Sequence, residues 1–135
     1  MEAAERFFFP KSERLFLKKE IDRLFNNGQS FLSYPLRIYY LPDSAIRISQ
    51  SGIAVLIGVP KKRIKHAFKR NRIKRLIREA YRLQKNPLYK NYVLKSRRLH
   101  IAFLYIANEV LSCMNIEKAM SKALKTIYAK ENDTE

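Results

Sequence analysis

The sequence predicts an α+β fold in which helices pack on one sheet, with elements in the order α-β-β-β-α-β-α. Three segments place apolar residues at helical spacing: 17–28, 66–84 and 115–127. Three others are rich in β-branched and aromatic residues: 29–41, 52–60 and 99–107. The 135 residues contain only three glycines and no low-complexity tract, so we expect a single domain.

The first elements are a short amphipathic helix and one or two strands. The helix has one apolar face, formed by Leu17, Ile21, Leu24 and Phe25. It ends at Gly28. Residues alternate near the end of 29–41, where Arg37 and Tyr39 share one face and the other face is formed by Leu36, Ile38 and Tyr40. The strand is expected to end at Pro42 and Asp43.

The remaining elements are two strands and two helices. The unbroken apolar run 52–60 is typical of a strand covered on both faces, so we expect it in the middle of the sheet. Another strand is expected at 99–107. The helix over 66–84 is expected to close at Asn86-Pro87, and Asn115 is expected to cap the last helix. The two helices have apolar stripes, formed by Ile73, Leu76, Ile77 and Ala80 and by Ile116, Ala119, Met120, Ala123, Leu124 and Ile127.

We divide the chain into an N-terminal extension, 1–12, a single domain, 13–129, and a C-terminal tail, 130–135. The longest apolar run, 53–59, is far shorter than the roughly 20 residues of a membrane span. The start, MEAAERFFFPK, lacks the basic segment of a secretory signal. These features predict a cytoplasmic protein. Cys113 is the only cysteine, and we interpret it as a buried small apolar residue in a reducing compartment.

The net charge of +16 and the pI near 10.2 call for a polyanionic partner, because a folded domain with this charge would otherwise repel itself. The 47% hydrophobic content excludes a disordered basic tail. Nucleic acid is the first candidate partner, and an anionic membrane surface is the second.

The charge is concentrated in 61–82, which holds eleven cations and one anion, Glu79. On a helix, Arg72, Arg75 and Arg82 lie along one ridge with Glu79, and one carboxylate cannot neutralise that ridge. Guanidinium groups match phosphate, and each cation placed on a phosphate releases a counterion. The pattern therefore favours a nucleic-acid backbone over two alternatives: a solvated face, which normally mixes signs, and a membrane helix, which needs a larger apolar face.

No catalytic constellation is visible in the sequence. Metal-dependent or acid-base catalysis by the protein alone needs clustered carboxylates or a histidine pair. The twelve acids are scattered, and His66 and His100 fall on different elements. We interpret His100, which lies in a strand pattern, as structural. His66 adjoins the basic helix and could contact phosphate, but its neighbours already supply more permanent charge.

Residues 67–81, AFKRNRIKRLIREAY, resemble the RNR signature of the bacterial ribonuclease P protein family, the small basic partners of a catalytic RNA. They are preceded by Val59-Pro60-Lys61-Lys62 at the end of a strand. Upstream, 19–28, KEIDRLFNNG, is similar to the first helix of that family, and Tyr39 to a position on an early strand. The likeness spans roughly 14–128.

The resemblance implies a two-layer α/β sandwich with a four-stranded mixed sheet and a left-handed β-α-β crossover, similar to the second domain of a small-subunit ribosomal protein. It also implies a function. The protein would bind the ribonuclease P RNA and the 5′ leader of precursor tRNA and assist endonucleolytic removal of the leader. The RNA would hold the Mg²⁺ ions, and no residue of the protein would be catalytic.

Matching positions imply two binding surfaces. The surface for the catalytic RNA comprises Lys61, Lys62, Arg70, Asn71, Arg72, Lys74, Arg75 and Arg78. The leader cleft comprises Ile21, Phe25, Arg37 and Tyr39. Asn71 either bridges RNA and backbone or fixes the first turns of its helix, and Phe25 belongs either to the cleft or to the core. An aromatic residue is more typical at the position of Ile21, which keeps apolar contact but loses stacking.

Two other classes of protein share some of these features. A ribosomal or general RNA-binding protein has the charge and the fold but does not require the RNR helix and the cleft together. A DNA-binding domain would place the basic helix in the major groove. The even run of cations favours backbone contact over base readout, so no DNA partner is expected.

Overall fold

The computed structural model describes residues 14–15, 17–44, 52–95 and 97–133. They form four helices and four strands, which are α1 Lys18–Asn27, β1 Gln29–Ser33, β2 Leu36–Ser44, β3 Gly52–Gly58, α2 Ala67–Gln84, α3 Asn86–Leu94, β4 Arg97–Tyr105 and α4 Cys113–Asp133. The predicted extension, 1–12, lies outside the described residues. The segment predicted as a tail, 130–135, begins inside α4, which continues to Asp133.

The four strands form one mixed sheet in the order β1-β2-β4-β3. β1 and β2 pair antiparallel, with Ser33 opposite Leu36 next to the turn, so the segment 29–41 contains two strands. β2 and β4 also pair antiparallel, whereas β3 and β4 are parallel. The mixed four-stranded sheet is therefore confirmed, and the handedness of the connection from β3 to β4 stays a prediction.

β3 lies at an edge of this sheet, so its predicted place in the middle is wrong. The predicted coverage of both its faces is confirmed. Ile53 and Val55 belong to the main core on one face, and Ala54 belongs to a second cluster on the other. Arg14 also forms a bridge with Val55 along the outer edge of the strand.

The core is divided between the two faces of the sheet. The main cluster lies between the sheet and α2, α3 and α4, and it includes Tyr40, Ile77, Phe103 and Met120. On the opposite face, a smaller cluster joins Leu24 of α1 to Ala54 and Ala102. On this face α1 packs through Leu24, and Ile21, Phe25 and Tyr39 lie half-buried beside the cluster.

The predicted end of the helix over 66–84 is confirmed, since α2 ends at Gln84, before Asn86-Pro87. A further helix, α3, was not predicted; Pro87 is tolerated in its first turn. One helix boundary differs from the prediction. Asn115 is not the cap of α4. Its backbone N–H donates to the Ser112 hydroxyl at 3.2 Å, which makes Ser112 the N-cap.

The interpretation of Cys113 as a buried residue is wrong, since its side chain is exposed at the start of α4. Its thiol donates to Glu117 Oε2 at 3.1 Å, one helical turn away. This hydrogen bond to a carboxylate raises the pKa of the Cys113 thiol. The thiol form is therefore favoured over the reactive thiolate.

Candidate RNA-binding surfaces

The basic segment begins in the approach loop, residues 59–66, which links β3 to α2. Arg63 and Ile64 donate their backbone N–H groups to the Pro60 carbonyl at 3.1 and 3.2 Å, which forms a turn. The side chain of Ile64 is buried in the main core. Lys61 and Lys62 lie within this turn and are exposed.

Arg70 holds this loop against the first turn of α2. Its Nη1 donates to the carbonyl oxygens of Ile64 at 3.0 Å and Lys65 at 2.6 Å. Arg70 as a whole is half-buried. Arg70 therefore orders the approach loop. The other two guanidinium nitrogens of Arg70, Nε and Nη2, take no part in these two hydrogen bonds.

The other predicted RNA-binding residues of α2 lie on its outer side. Ile73, Ile77, Ala80 and Tyr81 bury the inner side of the helix. Asn71, Arg72 and Arg75 are exposed, and Lys74 and Arg78 are half-buried. The side chain of Asn71 makes no hydrogen bond to any described residue, so nothing in that part of the chain supports a role in fixing the helix.

Glu79, the carboxylate of the ridge, forms an ion pair near the C-terminal end of α2. Arg82 Nη2 donates to Glu79 Oε1 at 2.6 Å, and this contact lowers the pKa of the Glu79 carboxyl. The pair is partly exposed, so we attach little stability to it. Arg72 and Arg75 form no ion pair within the described parts of the chain, and their charge is directed to solvent.

The predicted leader cleft lies on the opposite face of the sheet. Ile21 and Phe25 of α1 meet Tyr39 of β2 in the smaller cluster, and all three are half-buried. The ring centroids of Phe25 and Tyr39 are 4.8 Å apart at an interplanar angle of 71°, an edge-to-face contact. Phe25 packs against the smaller cluster and is half-buried, so part of its side chain remains accessible, and its role in leader binding stays a prediction.

Arg37 lies on the same face of β2 as Tyr39 but further from α1. It is exposed and stands opposite Leu104 of β4. Leu104 in turn pairs with Gly58 of β3, where a Cβ would come within 2.8 Å of the leucine side chain. The absence of a side chain at Gly58 leaves the room that Leu104 occupies.

Sequence reasoning missed the residues that complete the cleft on this face, Leu41, Leu56 and Ala102. Their strands were predicted, but an apolar run does not show which of its residues face α1. The register supplies that information, since Tyr39 and Leu56 both lie opposite Ala102. Ala102 is fully buried, and its small side chain lies between the two larger ones.

The two histidines lie far apart in the fold. His100 is 2% exposed on the α1 face of β4, as its structural interpretation requires. His66 is exposed and precedes the first residue of α2. Among the described residues, no three side chains of the His, Cys, Asp and Glu types gather at one point. No described helix has the length and apolar character needed to cross a membrane.

A cationic helix displayed on a small α/β fold, with an aromatic cleft on the other face of the sheet, is typical of RNA-binding proteins. A family model described as Ribonuclease P matches residues 9–130. The ribonuclease P protein component of Porphyromonas gingivalis strain W83 is 44% identical over 126 residues, which cover 92% of this chain and 89% of that protein. The component of Chlorobium phaeobacteroides is 38% identical over 98 residues, 67% of each chain.

A solved structure shares the fold. The structure of the Staphylococcus aureus ribonuclease P protein superposes with a TM-score of 0.64 and 20% identity, covering 87% of this chain and 96% of that one. The chain belongs to the ribonuclease P protein family. It is accordingly the protein subunit of an endoribonuclease holoenzyme and is not itself the catalyst.

Proposed function

We propose that the outer side of α2 and its approach loop bind the ribonuclease P RNA, and that the cleft beside α1 binds the 5′ leader of precursor tRNA. Family membership supports the partnership with the RNA. The observation that carries the proposal is the exposure of Arg72 and Arg75, without ion pairs to described residues, on a helix whose other side is buried. Such cations can release counterions from RNA phosphates.

The cleft suits a single-stranded leader. Unpaired nucleotides expose the faces of their bases, and an aromatic ring stacks on any base with little sequence preference. Tyr39 and Phe25 supply the rings, and Arg37 supplies a cation for the backbone phosphates. Mature tRNA lacks the leader, so a contact here favours precursor over product.

Mg²⁺ is assigned to the RNA. The helix that faces the catalytic RNA carries a strong positive charge, which disfavours a divalent cation. Its carboxylate, Glu79, is already engaged by Arg82. We therefore assign the protein no step through the metal: it binds, and its cations reduce the repulsion between two polyanionic RNAs. We also place the protein in the cytoplasm with its precursor tRNA substrates.

Reconstitution tests this function directly. The protein is added to a bacterial ribonuclease P RNA and precursor tRNA at low Mg²⁺, and cleavage and the affinities for precursor and mature tRNA are measured. We expect the protein to accelerate cleavage and to tighten the binding of precursor tRNA but not of mature tRNA. If the protein changes neither quantity, the competing interpretation as a general RNA-binding protein without a processing role is favoured.

Two single variants test the division into two surfaces. Arg72→Ala is expected to weaken binding of the protein to the ribonuclease P RNA and to reduce the slope of log affinity against log salt by about 1, because one phosphate contact is lost. Tyr39→Ala is expected to weaken precursor binding by the assembled holoenzyme about 5- to 150-fold, the equivalent of one stacked base.

Each variant has a matched control. Lys118→Ala removes an exposed cation from α4, and Tyr34→Ala removes an aromatic side chain that is 62% exposed in the β1–β2 turn. Neither control is expected to change its assay. Equal effects of Arg72→Ala and Tyr39→Ala on both equilibria would contradict the assignment of separate surfaces.

A further inference from the structure

Phe68 is an aromatic residue that neither the core nor the cleft accounts for. It lies in the first turn of α2, and 69% of its surface is exposed, the largest fraction for any aromatic side chain among the described residues. The fold leaves most of this apolar ring in solvent within a strongly cationic segment. We propose that Phe68 stacks against an unpaired base of the ribonuclease P RNA, an inference that rests on the proposed function of α2.

Phe68 lines an open pocket of about 580 Å³ between the approach loop and the segment before α4. Four cations surround the pocket: Arg63, Lys65, Lys69 and Arg72. The far wall is formed by Asn108, Glu109 and Val110. A base provides the flat apolar face that matches Phe68, and its neighbouring phosphates provide the charge that matches the cations. This combination selects a nucleotide over an apolar peptide.

The walls of the pocket are held in place by hydrogen bonds. Arg63 Nη1 donates to Asn108 Oδ1 at 3.3 Å and joins the two sides. On the far side, the buried Tyr105 donates its hydroxyl to the Glu109 carbonyl at 2.6 Å and accepts the Leu111 N–H at 3.0 Å. The pocket therefore exists before RNA binds, which reduces the entropy lost on association.

Phe68 also continues the cationic ridge. It precedes Arg72 by four residues, and Arg72 precedes Arg75 by three, so the three side chains follow one line along the helix. The His66 ring lies 5.6 Å from that of Phe68, between centroids, at an interplanar angle of 34°. A base on Phe68 would thus have one aromatic neighbour before the helix and a guanidinium one turn later.

The chain has no tryptophan, which allows a direct test of stacking. Phe68→Trp introduces a single indole at the proposed site. Leu83→Trp is the control: Leu83 lies on the same helix, is 52% exposed, and is about 22 Å further along the helix axis. On titration with ribonuclease P RNA, fluorescence is expected to be quenched in Phe68→Trp and not in Leu83→Trp. Equal responses of the two variants, with RNA bound, would overturn the proposal.

The affinity of the full-length protein for the same RNA gives a second measurement. Phe68→Leu keeps an apolar side chain but removes the ring, so we expect binding about 5- to 150-fold weaker, whereas Phe68→Tyr should bind like the parent. If Phe68→Leu binds normally while Arg72→Ala binds weakly, the stacking site is wrong and the proposed function stands. If the parent protein does not bind the RNA, both are wrong.

Discussion

Arg70 and Arg72 are two residues apart, yet the structure gives them different roles. Arg70 folds back onto the carbonyl oxygens of Ile64 and Lys65, whereas Arg72 is exposed. A sequence motif treats both as RNA contacts, because spacing on a helix indicates which side a residue lies on and not what a long side chain bonds to. The loop carbonyls that attract Arg70 become adjacent only after the chain folds.

His100 links the stability of the fold to pH. Burial lowers its pKa below the ordinary 6.5, and the Arg98 guanidinium, whose Nε donates to His100 Nε2 at 3.2 Å, lowers it further. Glu20 and Asp43 act in the opposite direction, and Arg23 acts with Arg98. The folded state therefore favours the neutral imidazole.

Because the unfolded chain takes up the proton at higher pH than the folded chain does, the free energy of unfolding should fall as the pH drops through 6.5, until the folded pKa is passed. The slope is at most about 1.4 kcal/mol per pH unit for this one group. Urea unfolding of the parent and of His100→Gln, measured from pH 8 to pH 5, checks this. The difference between the two proteins should change with pH, and a constant difference would contradict the assignment.

At the scale of elements, α3 is a helix that the sequence pattern did not predict. The helix over 66–84 was predicted because its apolar stripe spans several turns. α3 has only nine residues, and it starts directly after α2 at a proline that suggests an end. Its buried residues, Leu88 and Tyr92, contact a core that is assembled from distant strands. For the same reason, the apolar run of β3 predicted its coverage but not its place at the sheet edge.

The cap of α4 offers a test at this scale. Ser112→Ala removes the acceptor of the Asn115 N–H, so the free energy of unfolding should fall by about 1 kcal/mol. The hydrogen bond uses the backbone of Asn115, so Asn115→Ala leaves it intact and should cost much less. Chemical denaturation of both variants compares the two positions. If Asn115→Ala lowers the free energy of unfolding more than Ser112→Ala does, Asn115 is the cap, as the sequence pattern predicted.

At the scale of the whole molecule, the sheet separates the two proposed binding surfaces. The α2 surface belongs to the side of the main core, and the α1 cleft belongs to the side of the smaller cluster. The sequence predicted which residues form each surface by resemblance to the family. It did not place the surfaces relative to each other, because that depends on the strand order and on which face each helix covers.

Because the sheet separates the two surfaces, we expect substitutions on one surface to act independently of substitutions on the other. In the double variant Arg72→Ala/Tyr39→Ala, the losses in RNA affinity and in precursor affinity should each equal those of the corresponding single variant, within about 0.5 kcal/mol, because the two residues share no contacts. A double-mutant cycle on both equilibria measures this. A coupling well above that value would indicate that the two surfaces act through one another.

The outer edge of β3 has a further consequence. Arg14 bridges Val55 there, and the Leu15 N–H donates to the Val55 carbonyl at 2.8 Å. An unprotected strand edge is a template onto which another polypeptide can add, and such addition leads to aggregation. By occupying the middle of that edge with its own backbone, the chain blocks strand addition at Val55 by other copies of itself.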